Sequence, residues 1–173
     1  MKLETAFTMD TSSIKFGKGV TREIGSDFKN MGVKRLMICT DNRVAKLSTM
    51  EVVEASLKEV GLEYEIYSGV SVEPTDVSFL EAIDFARKGK FDGYLGVGGG
   101  SSMDTVKAAN LYATYPPEDF LDYVNPPIGK GKPVPGPIKP MICIPTTAGT
   151  GSETTGVAIF DLLSMEAKTG IAH

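Results

Sequence analysis

The sequence predicts an α/β fold: a doubly wound, mostly parallel sheet with helices on both faces. Two observations carry that expectation. From Thr21 to Ala113, short apolar runs of strand length alternate with longer stretches of helical periodicity. A triple-glycine segment, Gly98-Gly99-Gly100, joins one of those runs to the helical stretch behind it. A third observation marks where the alternation stops. Nine of the ten prolines fall between Pro116 and Pro145, which excludes regular helix and central strand there.

The elements follow in order. Thr21 to Met31 places Ile24, Phe28 and Met31 on one helical face, and Gly32 ends that helix. Arg35 to Thr40 is an apolar run suited to a buried parallel strand. Ser48-Thr49-Met50-Glu51 has the spacing of a capping box and opens a helix that Gly61 closes. Glu63 to Tyr67 alternates polar and apolar residues, as a half-exposed strand does. Pro74 introduces a helix with Leu80 and Ile83 on its buried side, stopping near Gly89. Phe91 to Val97 is the next strand, and Ser102 to Ala113 is the helix after the glycines, with Ser101 or Ser102 as its cap. Beyond the prolines, Met141 to Ile144 reads as a buried strand. Val157 to Phe160 and Lys168 to Ala172 read as two strands joined by a turn.

Bulk properties narrow the function. At 173 residues the chain suits one domain, 1–173. Its 42% hydrophobic and 23% charged residues are those of an ordinary globular protein. A net charge of −4 argues against a nucleic-acid surface, which carries a basic excess. No apolar stretch approaches the roughly 20 residues needed to span a bilayer. The N-terminus shows neither a signal peptide's apolar core nor a transit peptide's Arg-rich pattern. Cys39 and Cys143 each sit within a strand-like apolar run and read as buried, reduced thiols, so a soluble, reducing compartment is expected. The single histidine is the last residue, His173. A histidine-ligated metal or a histidine-activated nucleophile therefore cannot be assembled from these residues.

Two segments suit a ligand. After a strand and before a helix, Gly98, Gly99 and Gly100 permit a tight turn and expose bare N–H groups at the positive end of the helix, as a phosphate requires. The spacing is neither the usual dinucleotide fingerprint nor a P-loop, and a plain strand-to-helix turn is the other reading. Thr146, Thr147 and Thr150, with Gly149 and Gly151, offer hydroxyls that can ring a phosphate or ribose. They can equally bond to their own backbone in a threonine-rich turn. Asp41, at the end of the first buried strand, can accept both ribose hydroxyls of an adenosine and so favour NAD over NADP, or can cap a turn. Gly129-Lys130-Gly131-Lys132 is either a phosphate contact or a solvated loop.

Gly98-Gly99-Gly100-Ser101-x-x-Asp104-x-x-Lys107, taken together with Pro145-Thr146-Thr147-Ala148-Gly149-Thr150-Gly151-Ser152-Glu153, resembles the iron-containing (group III) alcohol dehydrogenase family. The pair is far more specific than either half. Val72-Glu73-Pro74-Thr75-Asp76, Asp119-Phe120-Leu121-Asp122-Tyr123 and the run Gly151 to Asp161 are similar to the hydroxyacid-oxoacid transhydrogenase branch, and the likeness extends from about Ala6 to the end. The resemblance implies a Rossmann-like NAD-binding domain, followed in the family by a helical domain whose aspartate and three histidines hold Fe2+ or another divalent metal. By this resemblance Asp41 sits on the adenosine ribose, and Gly99, Gly100 and Ser101 hold the pyrophosphate. Asp104 lies near the nicotinamide, while Thr146, Thr147, Thr150 and Lys168 complete the cleft.

The implied reaction passes hydride from a 4-hydroxybutyrate-type hydroxyacid to bound NAD and on to 2-oxoglutarate. An alcohol or polyol dehydrogenase of the same family is the alternative, and a non-catalytic short isoform is the alternative outside catalysis. The resemblance implies small hydroxyacid and oxoacid substrates, no nucleic acid and no membrane. It also implies a mitochondrial location, with the cytoplasm as the alternative. It leaves the oligomeric state open, a homo-oligomer included. The resemblance matches the family's first domain only, so the chain is expected to be truncated before the helical metal domain and inactive by itself.

Overall fold

The computed structural model describes residues 12–172. His173 and the first residues of the family-like stretch lie outside the described part. A short 3-10 turn leads into α1 (Ile24–Asn30). There follow β1 (Arg35–Cys39), α2 (Ser48–Glu59), β2 (Glu63–Tyr67), α3 (Asp76–Gly89), β3 (Gly93–Gly98), α4 (Gly100–Thr114), β4 (Met141–Pro145), β5 (Val157–Leu162) and β6 (Ala167–Ala172).

Four strands form a parallel sheet in the order β2-β1-β3-β4. Side-chain alternation sends Leu36, Ile38, Leu95 and Val97 to one face, where α1 and α2 cover them with Phe28, Met50, Val53 and Leu57. Met37, Cys39 and Tyr94 face the other way, onto Ala82 and Ala86 of α3 and Val106 and Ala109 of α4. The doubly wound expectation is met. β5 and β6 form a separate antiparallel hairpin. It packs on the outer side of α3 and α4, where Phe160 meets Phe79 at 5.1 Å and Phe120 at 5.5 Å between ring centroids.

Several local expectations need correction. The first helical stretch divides into a 3-10 turn over Val20–Glu23 and α1, and Met31 is 51% exposed instead of joining Ile24 and Phe28. Ser48 is the first residue of α2, not its cap. A 3-10 turn over Val44–Lys46 runs into the helix, and Leu47 caps it without any side-chain bond. The capping box sits instead on α3, where Thr75 and Ser78 bond reciprocally. The buried stripe of that helix is Phe79, Ala82, Ile83 and Ala86, while Leu80 lies 47% exposed. β4 is an edge strand, so its apolar run, Cys143 included, is only half-buried. Both cysteines carry free thiols. They flank Gly96 on neighbouring strands, two strand spacings apart.

The proline-rich segment folds around Asp122, which is buried. Lys130 Nζ and Lys132 Nζ donate to its two carboxylate oxygens at 2.8 Å and 3.0 Å, and Lys130 also reaches Asp119 at 3.0 Å. The lysines of the Gly129–Lys132 stretch thus pair with carboxylates of the same segment. Their donated bonds hold the Asp122 carboxyl down at about 2. A carboxyl depressed in the folded state stabilises above its unfolded value, and that contribution fades as pH falls towards 2. Asp122→Asn should therefore lose stability at pH 7. The gap to the parent should close as urea denaturation is repeated from pH 4 down to pH 2. A gap that does not change with pH would refute the ion-pair account.

Candidate functional site

β1 leads outward to β2 on one side while β3 leads to β4 on the other, so the sheet's switch point lies between β1 and β3. Because the strands are parallel, the segments after β1, β3 and β4 emerge at the same end. Those segments carry Asp41, the glycine run and the threonine run.

The two loops meet there. Thr146 N–H donates to Gly98 C=O at 2.8 Å. Gly98 adopts φ +151°, and a β-carbon there would sit 2.8 Å from Ser102 Cβ and 3.8 Å from Asp41 Oδ2. One added at Gly99 would lie 3.3 Å from Thr147 Oγ1. One at Gly100 would lie 3.2 Å from both Thr150 Cγ2 and Ser152 Oγ. The absent side chains are what let the threonine loop approach the glycine backbone.

α4 begins at Gly100 with Gly99 as its cap and no side-chain bond, so neither Ser101 nor Ser102 caps it. Ser102 is instead buried against Gly98. Gly99 C=O takes the N–H groups of Ser102 (3.1 Å) and Met103 (3.2 Å). Among the described residues, no acceptor takes the N–H groups of Gly100 and Ser101. Two unspent donors at the positive end of a helix of 15 residues are what an anion can use there.

The threonines divide between the two readings of their loop. Thr150 Oγ1 accepts from Ser152 N–H at 3.3 Å, a local turn bond. Thr146 and Thr147 are exposed, and among the described residues their hydroxyls bond to nothing. Asp41 also does both jobs. Its Oδ1 caps the following turn by accepting from Arg43 N–H (2.8 Å) and Val44 N–H (3.0 Å), while Oδ2 faces Gly98. Lys168 pairs with Asp161 across the hairpin at 2.8 Å. Among the described residues it makes no bond to either loop.

Asp104 lies one turn into α4 and is buried. Its Oδ2 accepts from Ile159 N–H at 3.2 Å, and Oδ1 stands 3.7 Å from Lys107 Nζ without a hydrogen-bond partner. Burial pushes the Asp104 carboxyl up and the Lys107 ammonium down. Glu153 Oε2, at the end of the threonine loop, is likewise buried and unpartnered. Burial raises the Cys143 thiol to about 11, which keeps it protonated. Lys107, Ser152 and Glu153 were not among the expected site residues. The only sequence signal for them was their place in the two motifs and the three-residue step from Asp104 to Lys107.

The profile of the family described as iron-containing alcohol dehydrogenase matches residues 11–173. The mitochondrial hydroxyacid-oxoacid transhydrogenase of Mus musculus is 58% identical over 167 residues, which is 96% of this chain and 36% of that protein. The probable enzyme of that name from Dictyostelium discoideum is 52% identical, over 96% and 33%. The chain thus spans about a third of the length of these relatives. Among solved structures, the NADH-dependent butanol dehydrogenase of Thermotoga maritima superposes with TM-score 0.86 at 28% identity, covering 97% of this chain and 41% of that one. Sulfoacetaldehyde reductase from Bifidobacterium kashiwanohense, solved with NAD+, gives 0.81 at 26%, covering 96% and 43%.

A parallel sheet with a glycine loop at its switch point defines the Rossmann-like class. The chain belongs to the iron-containing alcohol dehydrogenase family. Among the described residues, no three His, Cys, Asp or Glu side chains converge to hold a metal. The family's iron does not fit these residues.

Proposed function

We propose that residues 1–173 form the NAD-binding part of a hydroxyacid-oxoacid transhydrogenase. The observation that carries the reading is the meeting of the two loops at the switch point: unspent N–H groups on one side, free hydroxyls on the other. Gly99, Gly100 and Ser101 present backbone donors to a pyrophosphate, and glycine at 99 and 100 keeps the approach clear of side chains. Asp41 Oδ2 accepts from ribose hydroxyls and, being anionic, disfavours a 2′-phosphate. Thr146 and Thr147 supply hydroxyls from the facing loop, and Thr150 shapes it. Asp104 and Lys168 are the remaining residues of this reading, toward the nicotinamide end and the outer wall. Bound NAD supplies a hydride acceptor that can return the hydride to a second substrate.

On the strength of the 58% identity, the substrates are a 4-hydroxybutyrate-type hydroxyacid and 2-oxoglutarate, and the location is mitochondrial. A dehydrogenase of simple alcohols is the second reading, favoured by the butanol dehydrogenase likeness at 28% identity. Titration calorimetry of the chain with NAD tests the cofactor reading. One saturable site is expected, and an absence of binding at millimolar NAD would defeat it. Turnover assays then separate the enzyme readings. The whole protein should couple 4-hydroxybutyrate to 2-oxoglutarate without added NAD, and dependence on added NAD with butanol would favour the second reading.

A further inference from the structure

We infer that Asp104 and Lys107 are positioning residues: one turn of α4 stands in for a neighbouring strand along the free edge of β5 and so holds the loop 146–156 against the glycine loop. In its consequence for binding, this rests on the cofactor reading above.

In the hairpin, alternate residues of β5 point their backbone groups away from β6. Val157 C=O accepts from Lys107 Nζ at 2.8 Å, Ile159 N–H donates to Asp104 Oδ2 at 3.2 Å, and Asp161 N–H donates to Pro74 C=O at 2.8 Å. Every one of these is an edge group that a third strand would otherwise satisfy, and buried edge groups left unpaired are costly. Residues three apart on a helix share a face. The spacing of Asp104 and Lys107 therefore presents an acceptor and a donor side by side, matched to an N–H and a C=O two residues apart on one strand edge. Both side chains are nearly sealed, at 10% and 12% exposure. A buried ammonium is stable there because a carboxylate and a carbonyl both face it.

The loop is thereby fixed at both ends. At its entry Thr146 N–H is tied to Gly98 C=O. At its exit Val157 is tied to Lys107, and Ser152 lies beside Asp104. The exposed stretch Thr147–Thr150 hangs between those anchors. Its distance from the glycines is set by residues on the far side of α4's first turns.

Amide hydrogen exchange on the ligand-free chain tests the clamp. Lys107→Met keeps the apolar stem and removes the donor, whereas Lys107→Arg keeps a donor. The hydrogen-bonded amides of Ser152, Thr154 and Ile159 should exchange at least about tenfold faster in Lys107→Met, while β1 and β3 amides keep their rates. Lys107→Arg should restore protection. Asp104→Asn, which still offers an oxygen to Ile159 N–H, should stay protected where Asp104→Ala does not. Parental rates at Ser152, Thr154 and Ile159 in Lys107→Met would overturn the clamp. So would equal loosening in Asp104→Asn and Asp104→Ala. Calorimetry with NAD then reads the consequence: a weaker dissociation constant in Lys107→Met, recovered in Lys107→Arg, is expected. Unchanged affinity despite a loosened loop would refute the positioning role. If the parent chain binds no NAD while the exchange pattern holds, the cofactor reading fails and the clamp stands.

Discussion

Gly100→Val should weaken NAD binding more than tenfold, a loss above about 1.4 kcal/mol. The first atom of any side chain at this position already stands 3.2 Å from Thr150 Cγ2 and Ser152 Oγ and 3.3 Å from Thr150 Cβ. Alanine asks those neighbours to give by a few tenths of an ångström. A branched valine pushes the threonine loop away and covers the unspent N–H groups of Gly100 and Ser101. Calorimetry on folded variants should rank affinity as parent, then Gly100→Ala, then Gly100→Val. Parental affinity in the valine variant would mean that the glycine loop does not approach the cofactor.

Phe160→Ala should be the most damaging of the stability changes, costing about 3–5 kcal/mol. Its ring is fully buried between Phe79 and Phe120. Together with Ala158, Leu162 and Ile171 it forms the apolar underside by which the hairpin seats on α3 and α4. Tilted and edge-on aromatic pairs add to the area term. Urea denaturation followed by circular dichroism measures the loss. A cost under about 1 kcal/mol would mean that the backbone bonds from Asp104, Lys107 and Pro74 dock the hairpin almost unaided.

Much of the architecture was legible because its signals are local. Ile38, Leu95 and their neighbours belong to continuous apolar runs of strand length, and those runs became the parallel strands. The glycine and threonine runs were recognisable as a pair, and the structure brings both to one end of the sheet. What the sequence concealed depends on contacts between distant segments. Ser48 has a capping residue's spacing, yet the turn over Val44–Lys46 delivers the chain into α2 without it. Leu80 sits within an apolar pattern, but the face that meets the hairpin and sheet is that of Phe79 and Ile83. Met141 to Ile144 looks fully buried because an edge strand and a central strand have the same composition. Asp104 and Lys107 could be placed on one helix face from spacing alone. That β5 would be their partner required the position of the hairpin, some fifty residues further along the chain.

The central claim is that the glycine and threonine loops grip one dinucleotide between them, and it can be tested amide by amide. In an NAD titration followed by 1H–15N nuclear magnetic resonance, the signals of Gly99, Gly100 and Ser101 should move along one saturation curve with those of Thr146, Thr147 and Thr150. Binding that shifts one loop and leaves the other still, or that shifts neither, would contradict it.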